Sequence, residues 1–588
     1  MTVEVDAGQA PVGHPHPEEH GDPEVHGDRG PRTGRVRRPW PVLVTAVVFT
    51  AVVCGTYARL SYVANQHTNS DYSVVGLMAM GILHGHFGAL YWGQAYGGVE
   101  PYVVAVVFGL FGTSATSLGL TAILLVAVAS VLTWRVGLRL VTDRWLAVLA
   151  ATFVWVVPAF GITTARECGF RNAALVCGVA ALLLALRILD GHRSSVQYAL
   201  FGLVVGVGWW ASPEIVYLAL PAVALVIGAL LGSRSVMTAR DRAVRTAACG
   251  AGFVVGALPW LWANAHSGFL SLNAAATSAP TDGSYLDHLR VFLVGALPFQ
   301  LGVRKPGDDA FLLPGGAGFA IAVVACTLLV GAALVCMLRP GRSRVIGVAL
   351  LAFPFLYAVD PLAAWWEDGR YSVNLPVLAG LAFAIACEEV FRRIPAPGAH
   401  RIRSARDRRR PPGATGPGRA RALLTALVVV SLLLAVVGYE AVSPAAPRSI
   451  GSDPNRATEQ AIATLERMHV HTGYAAYWIA YTVDYLSGGQ LAFTPAPGDQ
   501  ARSEQILHEV EDTPTGVAWL FVPAESMHAA RLQFGSTDLQ TGYDPESDFT
   551  YALRQHGDPY GIVHTPLFDA VIPRRPVTPA QMGMRPPG

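Results

Sequence analysis

Long apolar segments alternate with short polar ones over most of the first 440 residues of the chain. A helix of about 20 apolar residues is long enough to cross the hydrocarbon core of a bilayer. Eleven segments come near this length, and they predict membrane-spanning helices at about 41–60, 117–139, 145–161, 172–189, 197–212, 214–232, 246–263, 315–338, 345–360, 372–390 and 422–439. The pattern therefore predicts a mostly α-helical, multi-pass membrane protein.

The composition agrees with this prediction. The 588 residues are 52% hydrophobic and only 14% charged, with a mean hydropathy of +0.40, whereas soluble domains carry about 25% charged residues. A single soluble globule is thereby excluded. Of the 43 basic residues, 42 are arginine and one is Lys305, which indicates a high-GC coding preference rather than nucleic-acid binding. The seven cysteines lie in or beside apolar segments and predict neither a disulfide framework nor a cysteine metal site.

The basic residues fall mainly on one side of the predicted membrane. The N-terminal tail and every second loop after it hold 27 arginines, whereas the opposite loops hold 6 basic residues. Because basic loops stay in the cytoplasm, the N-terminus and the basic loop 391–421 are predicted to be cytoplasmic. The protein is then a multi-pass protein of the cytoplasmic (plasma) membrane, and its C-terminal region lies outside.

Two terminal regions have a polar composition. Residues 1–39 predict a disordered cytoplasmic tail. Its four histidines either bind a metal or are simply part of a solvated low-complexity segment. Residues 441–588 predict a small extracytoplasmic α/β domain after the polytopic domain at 40–440. Its predicted helices are Asn455–His469 and Arg502–Val510, and its predicted strands are Tyr474–Trp478, Leu491–Thr494, Val517–Val522 and Tyr560–Val563.

The first outer loop, at about 61–116, contains no lysine or arginine. It is too polar to span and too apolar to float free, so short amphipathic helices on the membrane surface are expected. Asp71 stands at its start. An acid there can accept a proton or organise a divalent metal, and the alternative is a cap of the helix that begins near Tyr72.

The other outer charges are few. Glu167 lies between Arg166 and Arg171, either as an ion pair or as a second catalytic acid beside arginines that hold a phosphate. Charged side chains near the membrane are costly to bury, so a function is plausible for each of them. The remaining outer charges are Glu100, Arg304, Lys305 and Arg370. The basic ones either bind a lipid phosphate or extend their charged ends to the membrane–water interface without a function. Trp92 either stacks on a sugar ring or belongs to the aromatic belt at the membrane interface.

The segment from Asp71 to Gly112 resembles the first outer loop of polytopic C-type (GT-C) glycosyltransferases, of the protein O-mannosyltransferase and aminoarabinose-transferase type. The matching positions are Asp71, Trp92-Gly93-Gln94, Glu100-Pro101-Tyr102, Phe111-Gly112 and, before a later helix, Arg370-Tyr371. The resemblance covers about 41–390 well and the C-terminal region more loosely.

The resemblance implies inverting transfer of a sugar from a polyprenyl-phosphate carrier to a glycan, lipid or protein acceptor at the outer face. Asp71 would be the general base or metal organiser, with Glu167 as a second catalytic candidate. The substrate-binding candidates are Trp92, Gln94, Glu100, Arg166, Arg171, Arg304, Lys305, Arg370 and Tyr371. Related enzymes often carry Lys-Pro-Pro where this chain has Glu100-Pro101-Tyr102, so another basic residue would have to contact the phosphate.

Two other hypotheses remain open. A transporter or flippase of lipid-linked sugars would typically show internal repeats and broken helices near the midplane, and no clear repeat is present. A non-catalytic assembly protein of the cell envelope would use the C-terminal domain to bind a polymer.

Overall fold

The computed structural model describes most of the chain between residues 40 and 581. The described residues are 40–65, 67–156, 171–232, 237–269, 271, 283–304, 310–360, 370–393, parts of 422–433, 453–496, 499, 501–534, 539, 546–575, 577 and 581. The predicted tail at 1–39, most of the basic loop at 391–421 and most of the span at 422–439 lie outside these ranges.

Helices make up the described chain as far as Arg393. They are α1 (Trp40–Asn65), α2 (Ser70–Leu83), α3 (Val99–Phe111), α4 (Ala115–Leu140), α5 (Arg144–Val156), α6 (Arg171–Leu189), α7 (Ser195–Ala211), α8 (Val216–Gly232), α9 (Ala239–Gly256), α10 (Leu258–His266), α11 (Tyr285–Val291), α12 (Leu297–Gln300), α13 (Gly315–Leu338), α14 (Arg344–Tyr357) and α15 (Leu375–Arg393). A 3-10 turn, Pro213–Ile215, leads into α8, and another, Arg370–Ser372, precedes α15.

Several of these helices can cross a membrane. Within the described residues five are long and apolar enough, namely α1 over Val44–Asn65, α4, α6, α8 with its preceding turn, and α13. The shorter apolar helices include α5, α7 and α14. The chain is thus a multi-pass membrane protein by composition and length, as predicted, whereas the count of eleven spans stays a prediction.

The segment predicted as one span at 246–263 is not a single straight helix. The structure divides this segment into α9 and α10, whose axes differ by 62°. Pro259 lies in the first turn of α10. A proline has no N–H to donate and clashes with the carbonyl four residues earlier, so the helix breaks at Ala257 and restarts.

Helices α7 and α9 approach each other through glycines. A Cβ at Gly202 would overlap the carbonyl oxygen of Cys249, and one at Gly252 would overlap that of Ala199. Small residues allow this close backbone approach between membrane helices.

The C-terminal α/β unit, residues 453–577, is a five-stranded mixed sheet covered by helices. Its elements are α16 (Arg456–Arg467), β1 (Thr472–Ala475), α17 (Tyr477–Leu486), β2 (Ala492–Pro495), α18 (Glu504–Glu511), β3 (Ala518–Phe521), α19 (Met527–Phe534), α20 (Glu546–Gln555), β4 (Tyr560–His564) and β5 (Asp569–Pro573). The strand order is β2-β1-β3-β5-β4, with β1 parallel to both neighbours and β5 antiparallel to both of its own.

Helix α2 is enclosed by other parts of the protein, and its predicted place on the membrane surface stays a prediction. Eight consecutive residues from Tyr72 to Ala79 are buried, because α3 packs on one side of α2 and α17 packs on another. At Gly76 an added Cβ would overlap the ring of Tyr485. The first loop and the C-terminal unit therefore share one apolar core.

Candidate active site

Asp71 lies in the first turn of α2. The helix is capped by Asn69, whose Oδ1 accepts a hydrogen bond from the Tyr72 backbone N–H at 3.0 Å. The alternative that Asp71 caps this helix is therefore wrong. A carboxylate in the first turn is stabilised by the positive end of the helix dipole, and the Asp71 side chain stays half-buried rather than enclosed.

Two tyrosines hold Asp71. The Tyr477 hydroxyl, at the start of α17, donates a hydrogen bond to Asp71 Oδ1 at 2.5 Å. The Tyr91 hydroxyl donates to the backbone carbonyl of Asp71 at 3.0 Å. Burial and the negative charge of Asp71 raise the pKa of Tyr477 well above its usual value, so its phenol keeps the proton that it donates. The acid is thus held from its own loop and from the C-terminal unit.

Arg502 joins this cluster from the segment before α18. Its guanidinium lies 5.5 Å from the centre of the Tyr477 ring, and its Nη1 donates to the carbonyl of Gly93 at 3.3 Å. Burial acts to lower the pKa of Arg502, but the surrounding tyrosine and aspartate oxygens outweigh it and raise that pKa. A permanent positive charge therefore lies beside the acid.

Gly93, in the middle of the Trp92-Gly93-Gln94 motif, contacts this arginine. Gly93 has a φ of 66°, and an added Cβ would lie 2.8 Å from Arg502 Cδ. A glycine is required here both for the backbone conformation and for the close approach. Trp92 and Gln94 are half-buried on either side, and the Gln94 backbone N–H donates to the carbonyl of Tyr91.

A second group of polar residues lies where α3 meets α6. Glu100 is fully buried, and its Oε2 accepts a hydrogen bond from the Ala173 backbone N–H at 3.3 Å. Ala173 belongs to the first turn of α6, whose positive dipole end favours a carboxylate. The Glu100 carboxylate thus ties α3 and α6 together in this structure.

Arg171 opens α6 and pairs with a carboxylate that sequence reasoning missed. Its Nε lies 2.8 Å from Glu214 Oε1, and its guanidinium lies 4.8 Å from the centre of the Tyr371 ring. The Asn374 side-chain amide donates to the backbone carbonyl of Glu214 at 3.2 Å. Two predicted substrate-binding residues, Arg171 and Tyr371, are therefore brought together.

Of the other predicted site residues, the structure describes only some. Arg304 is buried against Phe311, with its guanidinium 4.7 Å from the ring centre. Arg166, Glu167 and Lys305 lie outside the described residues, as does the side chain of Arg370.

Trp210 positions the loop between α2 and α3. Its indole Nε1–H donates to the carbonyl of Ala89 at 2.5 Å, and its own carbonyl accepts from the Gly97 backbone N–H at 3.2 Å. The loop that carries Tyr91 and Gly93 is thereby held against the C-terminal end of α7.

The described neighbours of Asp71 include phenols and a guanidinium. Among the described residues no three His, Cys, Asp or Glu side chains come together as a metal site. The divalent metal considered for Asp71 therefore stays an expectation of the sequence.

Comparison with known proteins agrees with this architecture. Residues 98–262 match the family model of dolichyl-phosphate-mannose-protein mannosyltransferase, a range that includes Glu100, Arg171 and Glu214. The structure is similar to that of ArnT from Cupriavidus metallidurans bound to undecaprenyl phosphate, with a TM-score of 0.51, 12% sequence identity, and coverage of 90% of this chain and 97% of that chain. The apo state of the same protein gives a TM-score of 0.49 and 13% identity at the same coverage. No curated protein matches the sequence.

The structure thus shares the fold of a polytopic membrane protein, ArnT, and residues 98–262 are similar to a mannosyltransferase family. This similarity agrees with the GT-C resemblance noted for the first outer loop.

Proposed function

We propose that this protein transfers a sugar from a polyprenyl-phosphate carrier to an acceptor on the outer face of the cytoplasmic membrane, with inversion at the sugar. The family description names a dolichyl-phosphate sugar, and the similar ArnT structure is bound to undecaprenyl phosphate. The distribution of basic residues supports the outer face as the site of transfer. It puts the N-terminus and the basic loop in the cytoplasm, and the first loop and the C-terminal unit outside.

The observation that carries the mechanism is the hydrogen bond from Tyr477 to Asp71 Oδ1 at 2.5 Å. A carboxylate held in this way by a phenol is an oriented proton acceptor. Asp71 would remove the proton of an acceptor hydroxyl, whose oxygen forms the new bond to the anomeric carbon. The bond from that carbon to the phosphate oxygen breaks on the opposite face, so the configuration inverts.

The departing polyprenyl phosphate carries the negative charge that develops in this step. A guanidinium is well suited to bind it. Arg171 is a described candidate, because it starts α6, whose positive end favours an anion, and it is also paired with Glu214. Arg166, Arg304, Lys305 and Arg370 are further candidates for the same contact.

The test is sugar transfer by purified protein supplied with a panel of polyprenyl-phosphate sugars. We expect wild type to consume at least one of them, and Asp71→Asn to lose at least about a hundredfold in rate, as removal of a general base does. Asp512→Asn is the matched control, since Asp512 is exposed on the C-terminal unit, and it should keep the wild-type rate.

Two results would refute the proposal. Transfer by Asp71→Asn at the wild-type rate would remove Asp71 from the mechanism. Movement of the lipid-linked sugar across a reconstituted bilayer without any transfer would instead identify a transporter.

A further inference from the structure

The side chain of Tyr477 reaches Asp71 from the C-terminal unit. This residue starts α17, which packs along α2. The two helices are joined at this end by two short hydrogen bonds. The Ser70 hydroxyl donates to the Tyr477 backbone carbonyl at 2.5 Å, and the Tyr477 hydroxyl donates to Asp71 Oδ1 at 2.5 Å.

Tyr477 is itself held on every side that the structure describes. Its backbone N–H donates to Asp499 Oδ2 at 3.1 Å. Its ring meets that of Tyr481 edge to face at 5.7 Å between centres, and Arg502 lies over the ring at 5.5 Å. These contacts fix the Tyr477 ring, and its hydroxyl donates to Asp71 Oδ1.

A carboxylate has two oxygens that could accept a proton, and it can rotate about its bond to Cβ. A hydrogen bond to Oδ1 restricts this rotation and so orients the carboxylate. Fixing the reacting group in this way is worth much in rate, because a misplacement of about 1 Å can cost about a hundredfold.

We propose that Tyr477 is a positioning residue for Asp71, so that the C-terminal unit completes the active site of the membrane domain. The inference rests on the proposed function, since it assigns Asp71 the role of base. It goes further by making catalysis depend on a residue outside the membrane domain.

The experiment compares Tyr477→Phe with Tyr485→Phe in the full-length protein, by measuring kcat and the KM for the lipid-linked sugar. Both changes remove one hydroxyl from α17, but Tyr485 packs against Gly76 and Phe108, two turns away from the Asp71 contact. We expect Tyr477→Phe to lower kcat by about tenfold or more with KM within about twofold, because only the orientation of the base is lost. Tyr485→Phe should keep both constants.

Hydrogen–deuterium exchange over residues 70–83 shows whether α17 stays docked in each variant. Unchanged protection together with the kcat loss supports a positioning role. A kcat of Tyr477→Phe within twofold of wild type overturns it, and so does a loss of protection that would explain the defect by undocking. Failure of the wild type to use any sugar donor would instead refute the proposed function.

Discussion

Arg171 Nε and Glu214 Oε1 lie 2.8 Å apart, and each side chain is only 11% exposed. The same two atom types lie 2.8 Å apart in Arg393 and Glu389, where the arginine is 67% exposed. The two pairs have equal length, but Arg393 is largely exposed and Glu389 also has Arg339 within 3.7 Å. Comparing them measures how much a buried arginine contributes beyond an exposed one.

We expect Arg171→Gln to lower the free energy of unfolding by about 2–4 kcal/mol, because the buried Glu214 carboxylate then loses this guanidinium. Arg393→Gln should cost less than about 1 kcal/mol, as exposed pairs do. Thermal unfolding of both variants in the same detergent measures the difference. Equal losses would mean that the Arg171 pair adds nothing beyond a surface contact.

Asp484 gives a prediction about pH. It is fully buried in the C-terminal unit, and burial raises its pKa well above the usual value. The folded state therefore holds a proton that the unfolded chain releases above its ordinary pKa of about 3.9. The contribution of Asp484 to the free energy of unfolding is fully present below about pH 3.9. It is lost as the pH rises toward the pKa of the folded state, by up to about 1.4 kcal/mol for each pH unit.

Asp484→Asn should remove this dependence, since asparagine carries no proton to lose and can still accept the hydrogen bond from the Phe493 backbone N–H. Hydrogen exchange over residues 472–495 between pH 5 and pH 8 measures it. The wild type should become less protected with rising pH, after correction for intrinsic exchange, and the variant should be nearly constant. A parallel slope in both proteins would contradict the prediction.

The glycine contact between α7 and α9 also offers a matched pair. A Cβ at Gly202 would overlap the Cys249 carbonyl, whereas one at Gly250 would meet nothing within 4 Å. Gly202→Ala should therefore force the helices apart and lower the unfolding temperature. Gly250→Ala should be neutral or stabilise by up to about 1 kcal/mol through helix propensity. Thermal unfolding of the two variants distinguishes them, and equal behaviour would show that the helices do not depend on this approach.

Much of the fold could be predicted because it follows local patterns. The apolar run at 315–338 became α13 with identical limits, and the periodic segment at 455–469 became α16. The run at 474–478 was harder, since a short apolar segment fits a strand or a buried helix equally well. It is a strand only to Ala475, and Trp478 lies in α17. The spacing of Tyr477, Tyr481 and Tyr485 by four residues was the signal for that helix.

The site was predictable only in part. Asp71 was found because it is an acid in a loop without basic residues. Its partners Tyr477 and Arg502 lie more than 400 residues away along the chain, and nothing in local spacing connects them. Glu214 was missed because a 3-10 turn inserts it between two apolar helices, where the hydropathy pattern shows only a short interruption.

The burial of α2 beneath α17 has a consequence for the order in which the protein matures. Tyr477 follows Asp71 by 406 residues, and chains fold during synthesis from the N-terminus. When α2 leaves the ribosome, the helix that will cover it has not been made. The first loop is thus among the earliest parts of the chain to be synthesised and among the last to reach its native contacts, so a truncated product would contain every residue of this loop and still lack the finished surface around Asp71.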